Sequence, residues 1–345
     1  MLSFPGMICY GESESRCRIL NQKERTIMNR RDSLRWMATA SLAGVAGLTA
    51  PSRTAEAQTA KPWKTAIGLN GFESSSRKYQ KNYPIWEVLD FAANEGFDGV
   101  ELVESWPWSG YPQTEEKGRI QALRRMYDAF HLQVFSIQLG AAGAFDPEET
   151  GRQAWLKEFE QRARLAQALG CSCIGMWPGG GLRGQTIDEA LERLGQSFHR
   201  AAEIAAGLEL VTAFEIEPPF VFNTEEHVKR ILAAGDHPNL KAIYDPSHYD
   251  LMNGSLGRPH EMLQRVGVDR VGYVHLTDTD GTLRDGGTSK HLPCGDGHAQ
   301  IEKSLQLLRE GGFRGWIMID AWEIPDSYDA CRKGKSMIDR FNQPG

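Results

Sequence analysis

An α/β fold, specifically a parallel (β/α)₈ TIM barrel, is what this sequence predicts, and two observations predict it. Short apolar runs alternate with longer segments of i, i+3, i+4 periodicity from Lys64 onward, at a period on the order of 30 residues, as repeated βα units require. Eight such runs can be read, and eight strands each followed by a helix close a barrel of roughly 250 residues. The runs are Thr65–Leu69, Gly99–Val103, Gln133–Gln138, Cys171–Met176, Leu208–Glu215, Lys241–Tyr244, Val271–His275 and Trp316–Asp320. Helical periodicity is clearest over Trp155 to Leu169, Ile187 to Ala206 and Ile301 to Leu308.

Taken in order, the runs exclude a nucleotide-binding sheet. After the first, Gly68-Leu69-Asn70-Gly71 lacks the third glycine and the downstream acid of a dinucleotide turn. Cys171 and Cys173 alternate along the fourth and read as small buried strand residues. The Gly179-Gly180-Gly181 stretch that follows has no Gly-Lys-Ser/Thr, so a flexible active-site loop is expected there, not a phosphate cradle.

At 345 residues, 41% hydrophobic, the chain accommodates one catalytic domain and a leader. Residues 1–27 precede Met28 and read as an extension or an over-called start, residues 28–60 as a signal and linker, and residues 61–345 as the barrel. Asn29-Arg30-Arg31-Asp32-Ser33-Leu34-Arg35-Trp36, the uncharged run to Pro51 and Ala55-Glu56-Ala57 resemble a twin-arginine export signal with a small-residue cleavage site. The apolar stretch falls short of the roughly 20 residues a spanning helix needs, so no stable membrane anchor is expected. A net charge of −6 without a Lys/Arg stripe argues against a nucleic-acid partner. Six cysteines show no C-x-x-C spacing. A homo-oligomer is left open.

Barrel enzymes place their chemistry where strands end, and four successive runs end in acids or imidazoles. They are Phe214-Glu215-Ile216-Glu217-Pro218-Pro219, Tyr244-Asp245-Pro246-Ser247-His248, Val274-His275-Leu276-Thr277-Asp278 and Ile319-Asp320-Ala321-Trp322-Glu323. One carboxylate at a strand exit is an ordinary cap. Glu215 and Asp320, however, each close a strongly apolar run, where an uncompensated carboxylate costs several kcal/mol and a divalent cation supplies compensation. A carboxylate and imidazole set suits Mn²⁺, Mg²⁺ or Co²⁺ better than a thiolate-rich zinc site, although Zn²⁺ stays open.

The Asp245-x-x-His248 pair, His275-x-x-Asp278, the fifth-strand Glu and the eighth-strand acid resemble the xylose isomerase-like TIM barrel superfamily, most closely its sugar phosphate isomerase/epimerase group. That group contains ketose 3-epimerases, hydroxypyruvate isomerases and inosose dehydratases. The resemblance implies Glu215, Asp245, His275 and Asp320 as metal ligands, with Glu217 competing for the fifth-strand place. Glu215 and Asp320 would be the two catalytic bases, and His248 would contact substrate or support a ligand from behind. Most relatives have Glu where Asp320 stands; a shorter arm draws the cation inward, or Glu323 helps instead. Glu101, in Gly96-Phe97-Asp98-Gly99-Val100-Glu101, is expected to reach substrate, as are Glu217 and Asp278. Trp106, Trp108, Trp177 and Trp322 would wall a carbohydrate pocket.

The expected reaction is isomerisation or epimerisation of a sugar or keto-sugar through an enediolate. Dehydration of a keto-sugar or glycoside uses the same enolate and is the runner-up. A non-catalytic carbohydrate-binding barrel and an endonuclease IV-like phosphodiesterase are the remaining alternatives, the latter needing a larger ligand set and a basic groove.

Overall fold

The computed structural model describes residues 61–103, 110–252, 258–284 and 287–343. The extension, the twin-arginine leader, Trp106 and Trp108 lie outside the described residues. Among the described residues, no helix is long and apolar enough to cross a membrane.

The strands are β1 (Lys64–Gly68), β2 (Gly99–Val103), β3 (Gln133–Gly140), β4 (Cys173–Trp177), β5 (Val211–Phe214), β6 (Leu240–Tyr244), β7 (Val271–Leu276), β8 (Asp278–Leu283), β9 (Ser289–Leu292) and β10 (Trp316–Ile319). A closed parallel barrel runs β1-β10-β7-β6-β5-β4-β3-β2, so all eight predicted runs are barrel strands. Helices α1 (Leu69–Tyr79), α2 (Ile85–Asn94), α3 (Lys117–Asp128), α4 (Glu149–Leu169), α5 (Ile187–Ala206), α6 (Glu225–Gly235), α7 (Pro246–Met252), α8 (Pro259–Val266), α9 (Ile301–Glu310) and α10 (Ser327–Phe341) connect them.

Two strands start later than their apolar runs, for one reason. Helix α4 ends at Gly170, whose φ of 83° is left-handed, and the Cys171 N–H returns 2.9 Å to the Ala166 carbonyl. Leu210 N–H likewise donates to Ala205 O at 2.9 Å, past left-handed Glu209. The leading residues of these runs therefore close helices before the strand begins. At its other end α5 starts with a capping box between Thr186 and Glu189.

The lumen is packed, not hollow. Ala66, Phe135, Cys173, Ala213, Ile243, Tyr273, Trp316 and Met318 form one buried cluster, in which Phe135 stacks on Trp316 at 4.7 Å and meets Tyr273 edge-on at 5.4 Å. Cys171 and Cys173 are buried, as expected. Gly175 on β4 has no side chain because Tyr273 needs its room: a Cβ there would stand 2.1 Å from the tyrosine hydroxyl.

Two features escaped the sequence pattern. Helix α7 follows β6 directly, so His248 is helical and buried, not in a loop. Between β7 and α9 the chain folds an antiparallel hairpin, β8 against β9.

Candidate metal centre and substrate cavity

The C-terminal ends of β5, β6, β7 and β10 deliver Glu215, Asp245, His275 and Asp320, all buried. Strand alternation turns Tyr273 and His275 to the same side of β7, and the tyrosine already occupies the lumen cluster. His275 consequently stands between two carboxylates. Its Nδ1 lies 2.8 Å from Glu215 Oε1, and its Nε2 lies 2.9 Å from Glu101 Oε2. Beneath, the Tyr273 hydroxyl donates to Glu101 Oε1 at 2.8 Å. Gln138 Nε2, from β3, donates to Glu215 Oε2 at 3.0 Å. Asp245 Oδ1 accepts the Ser247 N–H at 2.7 Å, whereas its Oδ2 is buried without a hydrogen-bond partner.

A further set of groups comes from α7 and the hairpin. His248 Nε2 is 3.1 Å from Glu217 Oε2 and 3.7 Å from Asp245 Oδ2, while its Nδ1 is fixed 2.8 Å from Ser289 Oγ on β9. His291, also on β9, is buried, and neither ring nitrogen has a hydrogen-bond partner among the described residues.

Among the described residues, two trios offer donor atoms mutually within 4.8 Å: Glu215, Asp245 and His275, and Asp245, His248 and His291. Asp320 belongs to neither trio. Its Oδ1 accepts from Asn70 Nδ2 at 3.2 Å and the Trp322 N–H at 3.0 Å, and its Oδ2 lies 3.9 Å from His291 Nδ1.

The electrostatics are those of crowded acids. Burial raises the Glu215 pKa, but the His275 charge and hydrogen bond outweigh it and bring it down to about 2. Burial works against imidazolium in His275 too, yet Glu215 and Glu101 hold its pKa well above the usual value. His248 rises to about 10, burial being overcome by Asp245 and Glu217. Asp320 is pushed up to about 7, chiefly by burial. His291 goes the other way, driven well below the ordinary range by burial and then by neighbouring His248. Buried carboxylates in excess over imidazoles, with the Asp245 Oδ2 orphaned, make a donor set that fits a divalent cation.

Above the cluster opens a cavity of about 460 Å³. Glu215, Glu217, His248, His291 and Asp320 line it together with Val103, Leu139, Trp177, Phe220 and Trp322. Trp177 meets Phe220 edge-on at 5.2 Å.

Of the residues expected at the substrate, Glu217, His248 and Trp177 line this cavity, and Thr288 donates to Glu217 Oε2 at 2.8 Å. Glu323 lies on the rim, its carboxylate paired with Lys78 and its carbonyl accepting from Arg284 at 2.6 Å. Glu101 is placed differently: it sits beneath the cavity, bonded to Tyr273 and His275. Asp278 is committed to its own loop, its oxygens accepting the N–H groups of Thr279, Gly295 and Ala299 at 2.9, 2.9 and 3.0 Å. His291, Gln138 and Asn70 were missed as site residues. The Ser289-Lys290-His291-Leu292 alternation, which buries Ser289 and His291 together, was the available signal for the first.

Residues 89–339 match the family described as xylose isomerase-like TIM barrel. The chain belongs to that family. Among its relatives is the human protein named "Putative hydroxypyruvate isomerase", 26% identical over 269 residues, covering 73% of this chain and 89% of the relative. The fold of this xylose isomerase-like barrel superposes on the IOLI protein with a bound zinc atom at a TM-score of 0.64, with 17% identity, over 81% of this chain and 97% of that one. On the 3-keto-D-glucoside 4-epimerase YcjR of E. coli it gives 0.60 at 18% identity, covering 81% and 99%.

Proposed function

We propose that this protein is a divalent-metal-dependent isomerase or epimerase of a sugar or keto-sugar. The observation that carries the reading is that Glu215 and Asp320 reach one cavity from β5 and β10, strands separated in the barrel by β6 and β7, around buried Asp245 and His275. Glu215, Asp245 and His275 would hold the cation, and Asp320 would face the substrate from β10. When bound, the metal polarises a carbonyl and its neighbouring hydroxyl and lowers the cost of an enediolate; Mn²⁺ suits the donors best.

Glu215, oriented by Gln138, takes the proton next to the carbonyl. Asp320, which burial holds above the usual carboxylate range, would give or take a proton from its own side. Asn70 and the Trp322 N–H fix one of its oxygens and leave the other for transfer. Glu217 and His248 meet substrate hydroxyls, and Trp177 and Trp322 present flat faces to sugar C–H surfaces. The names of the human isomerase and the E. coli epimerase support this reaction class. We also propose export through the twin-arginine route, which favours an unphosphorylated substrate; cell fractionation with the Arg30-Arg31 pair replaced by lysines tests it.

Solvent deuterium decides the chemistry. The Mn²⁺-loaded protein, incubated in D₂O with a panel of free keto-sugars and 3-keto-glycosides, is expected to place label on the carbon beside the carbonyl, with an isomer or epimer accumulating. Loss of water instead identifies a dehydratase. Absence of label from every member of the panel would remove enolisation altogether.

A further inference from the structure

The cavity rim holds a residue that its own backbone disfavours. Glu323 stands at φ 49°, in the left-handed region, as the third residue of the turn Ala321-Trp322-Glu323-Ile324, which the Ile324 N–H closes onto the Ala321 carbonyl at 3.1 Å. A positive φ at that position suits glycine or asparagine, and a longer side chain raises the energy of the turn. Such a conformation persists where surrounding contacts impose it. Here they are dense. The Glu323 N–H donates to Ser74 Oγ at 2.8 Å, its carbonyl accepts from the Tyr79 hydroxyl at 2.9 Å and from Arg284 Nη2 at 2.6 Å, and its carboxylate pairs with Lys78 and lies 3.5 Å from Arg284 Nε. A glycine would keep all three backbone bonds. What glutamate adds is one carboxylate between two cations.

Those cations come from separate elements. Lys78 lies in the last turn of α1 and Arg284 directly follows β8, and both line the cavity with Glu323. The Arg284 N–H also donates to the Thr288 carbonyl at 2.9 Å and so closes the hairpin. From there the hairpin reaches the floor, Thr288 donating to Glu217 Oε2 at 2.8 Å and Ser289 Oγ lying 2.8 Å from His248 Nδ1. On the other side of Glu323, the neighbouring Trp322 N–H orients Asp320. We propose that Glu323 is a positioning residue, a clasp that ties the β8–β9 hairpin to α1 across the cavity mouth and thereby holds Glu217, His248 and Asp320 in place. It acts through the groups it holds and is not a ligand of the cation. A displacement of about 1 Å at such groups costs on the order of 10²-fold in rate, so a clasp remote from the reacting carbons still governs turnover.

The effect on rate rests on the proposed reaction, whereas the clasp itself does not, and two readouts keep them apart. Glu323→Gly gives the turn the residue its φ favours and removes only the carboxylate. Its unfolding temperature is expected within about 3 °C of the wild type, relief of the turn offsetting the loss of partly exposed ion pairs. Amide exchange in β8 and β9 of the full-length protein, followed by mass spectrometry, should nevertheless quicken by roughly tenfold. Solvent-deuterium labelling of the keto-sugar panel by the Mn²⁺-loaded variant should slow by about 10–100-fold. Glu323→Gln, which still offers an oxygen to Lys78 and Arg284, should fall between the two in both readouts. Hairpin exchange at the wild-type rate in Glu323→Gly overturns the clasp, and quickened exchange with wild-type labelling overturns its positioning role while leaving the reaction standing. If the wild type labels nothing, the reaction falls and the exchange result alone decides the clasp. Arg284→Gln cuts the same contact from the hairpin side without altering the turn; it should quicken exchange likewise should the glycine variant unfold early, and wild-type exchange there overturns the clasp as well.

Discussion

The two halves of the barrel do different work at the same rim. Strands β5, β6, β7 and β10 end in Glu215, Asp245, His275 and Asp320, whereas β2, β3 and β4 end in Val103, Leu139 and Trp177, which line the cavity. The first group is a charged floor; the second is an apolar wall with a single amide, Gln138, reaching across to Glu215. Concentrating the acids on consecutive strands puts like charges close enough to shift one another's pKa values and to demand a cation. On the proposed function, the wall can vary in shape without disturbing the floor, so reaction and selectivity would fall to separate segments of chain.

That division predicts a hierarchy of effects. Floor variants should be the most damaging: Glu215→Gln and Asp320→Asn are each expected to lower kcat by about 10²–10⁴. They should differ in metal content, because Asp320 stands outside both trios. Elemental analysis is expected to find Asp320→Asn loaded and Glu215→Gln depleted, and equal loading in both would dissolve the distinction. Next comes Glu101, which touches the floor from below. Glu101→Gln should weaken cation binding by roughly 10–100-fold, as loss of a carboxylate behind a ligating histidine does, measured by competition with a chelating dye.

Proton competition is expected to be smaller and graded. His275 and His248 hold their protons more tightly than a free histidine, His248 to about pH 10, and a cation must displace the proton from any ring it binds. Affinity should therefore rise with pH, by about tenfold per unit for each proton released; a Kd flat between pH 6 and 8 would mean that neither ring is a ligand. Smallest is the wall. Trp177→Ala removes an aromatic face worth roughly 0.5–1.5 kcal/mol, so KM should rise by up to about tenfold with kcat little changed. A large fall in kcat instead would erase the separation of floor from wall.

The floor was legible in the sequence because polar residues closing apolar runs stand out against a regular period. Glu215, Asp245 and His275 could be placed without a structure for that reason. Glu101 was legible as an inward acid, but strand alternation does not say how deep in the lumen it lies, and Tyr273 and His275 claim its oxygens first. Asp278 followed a metal-like spacing, yet its environment is three backbone N–H groups of its own loop. Least legible was His291. The hairpin that carries it is polar, short-stranded and joined by a loop, and four residues of alternation are too few to announce that it buries against α7.

Gly175 links the two halves from inside. Its missing side chain admits the Tyr273 hydroxyl, which bonds Glu101, which in turn bonds His275. One hydrogen atom on β4 thus acts as a spacer for an imidazole on the far side of the lumen. A methyl there would push through three contacts in series and tilt the ring, detuning the cation site from a strand that contributes nothing to it directly.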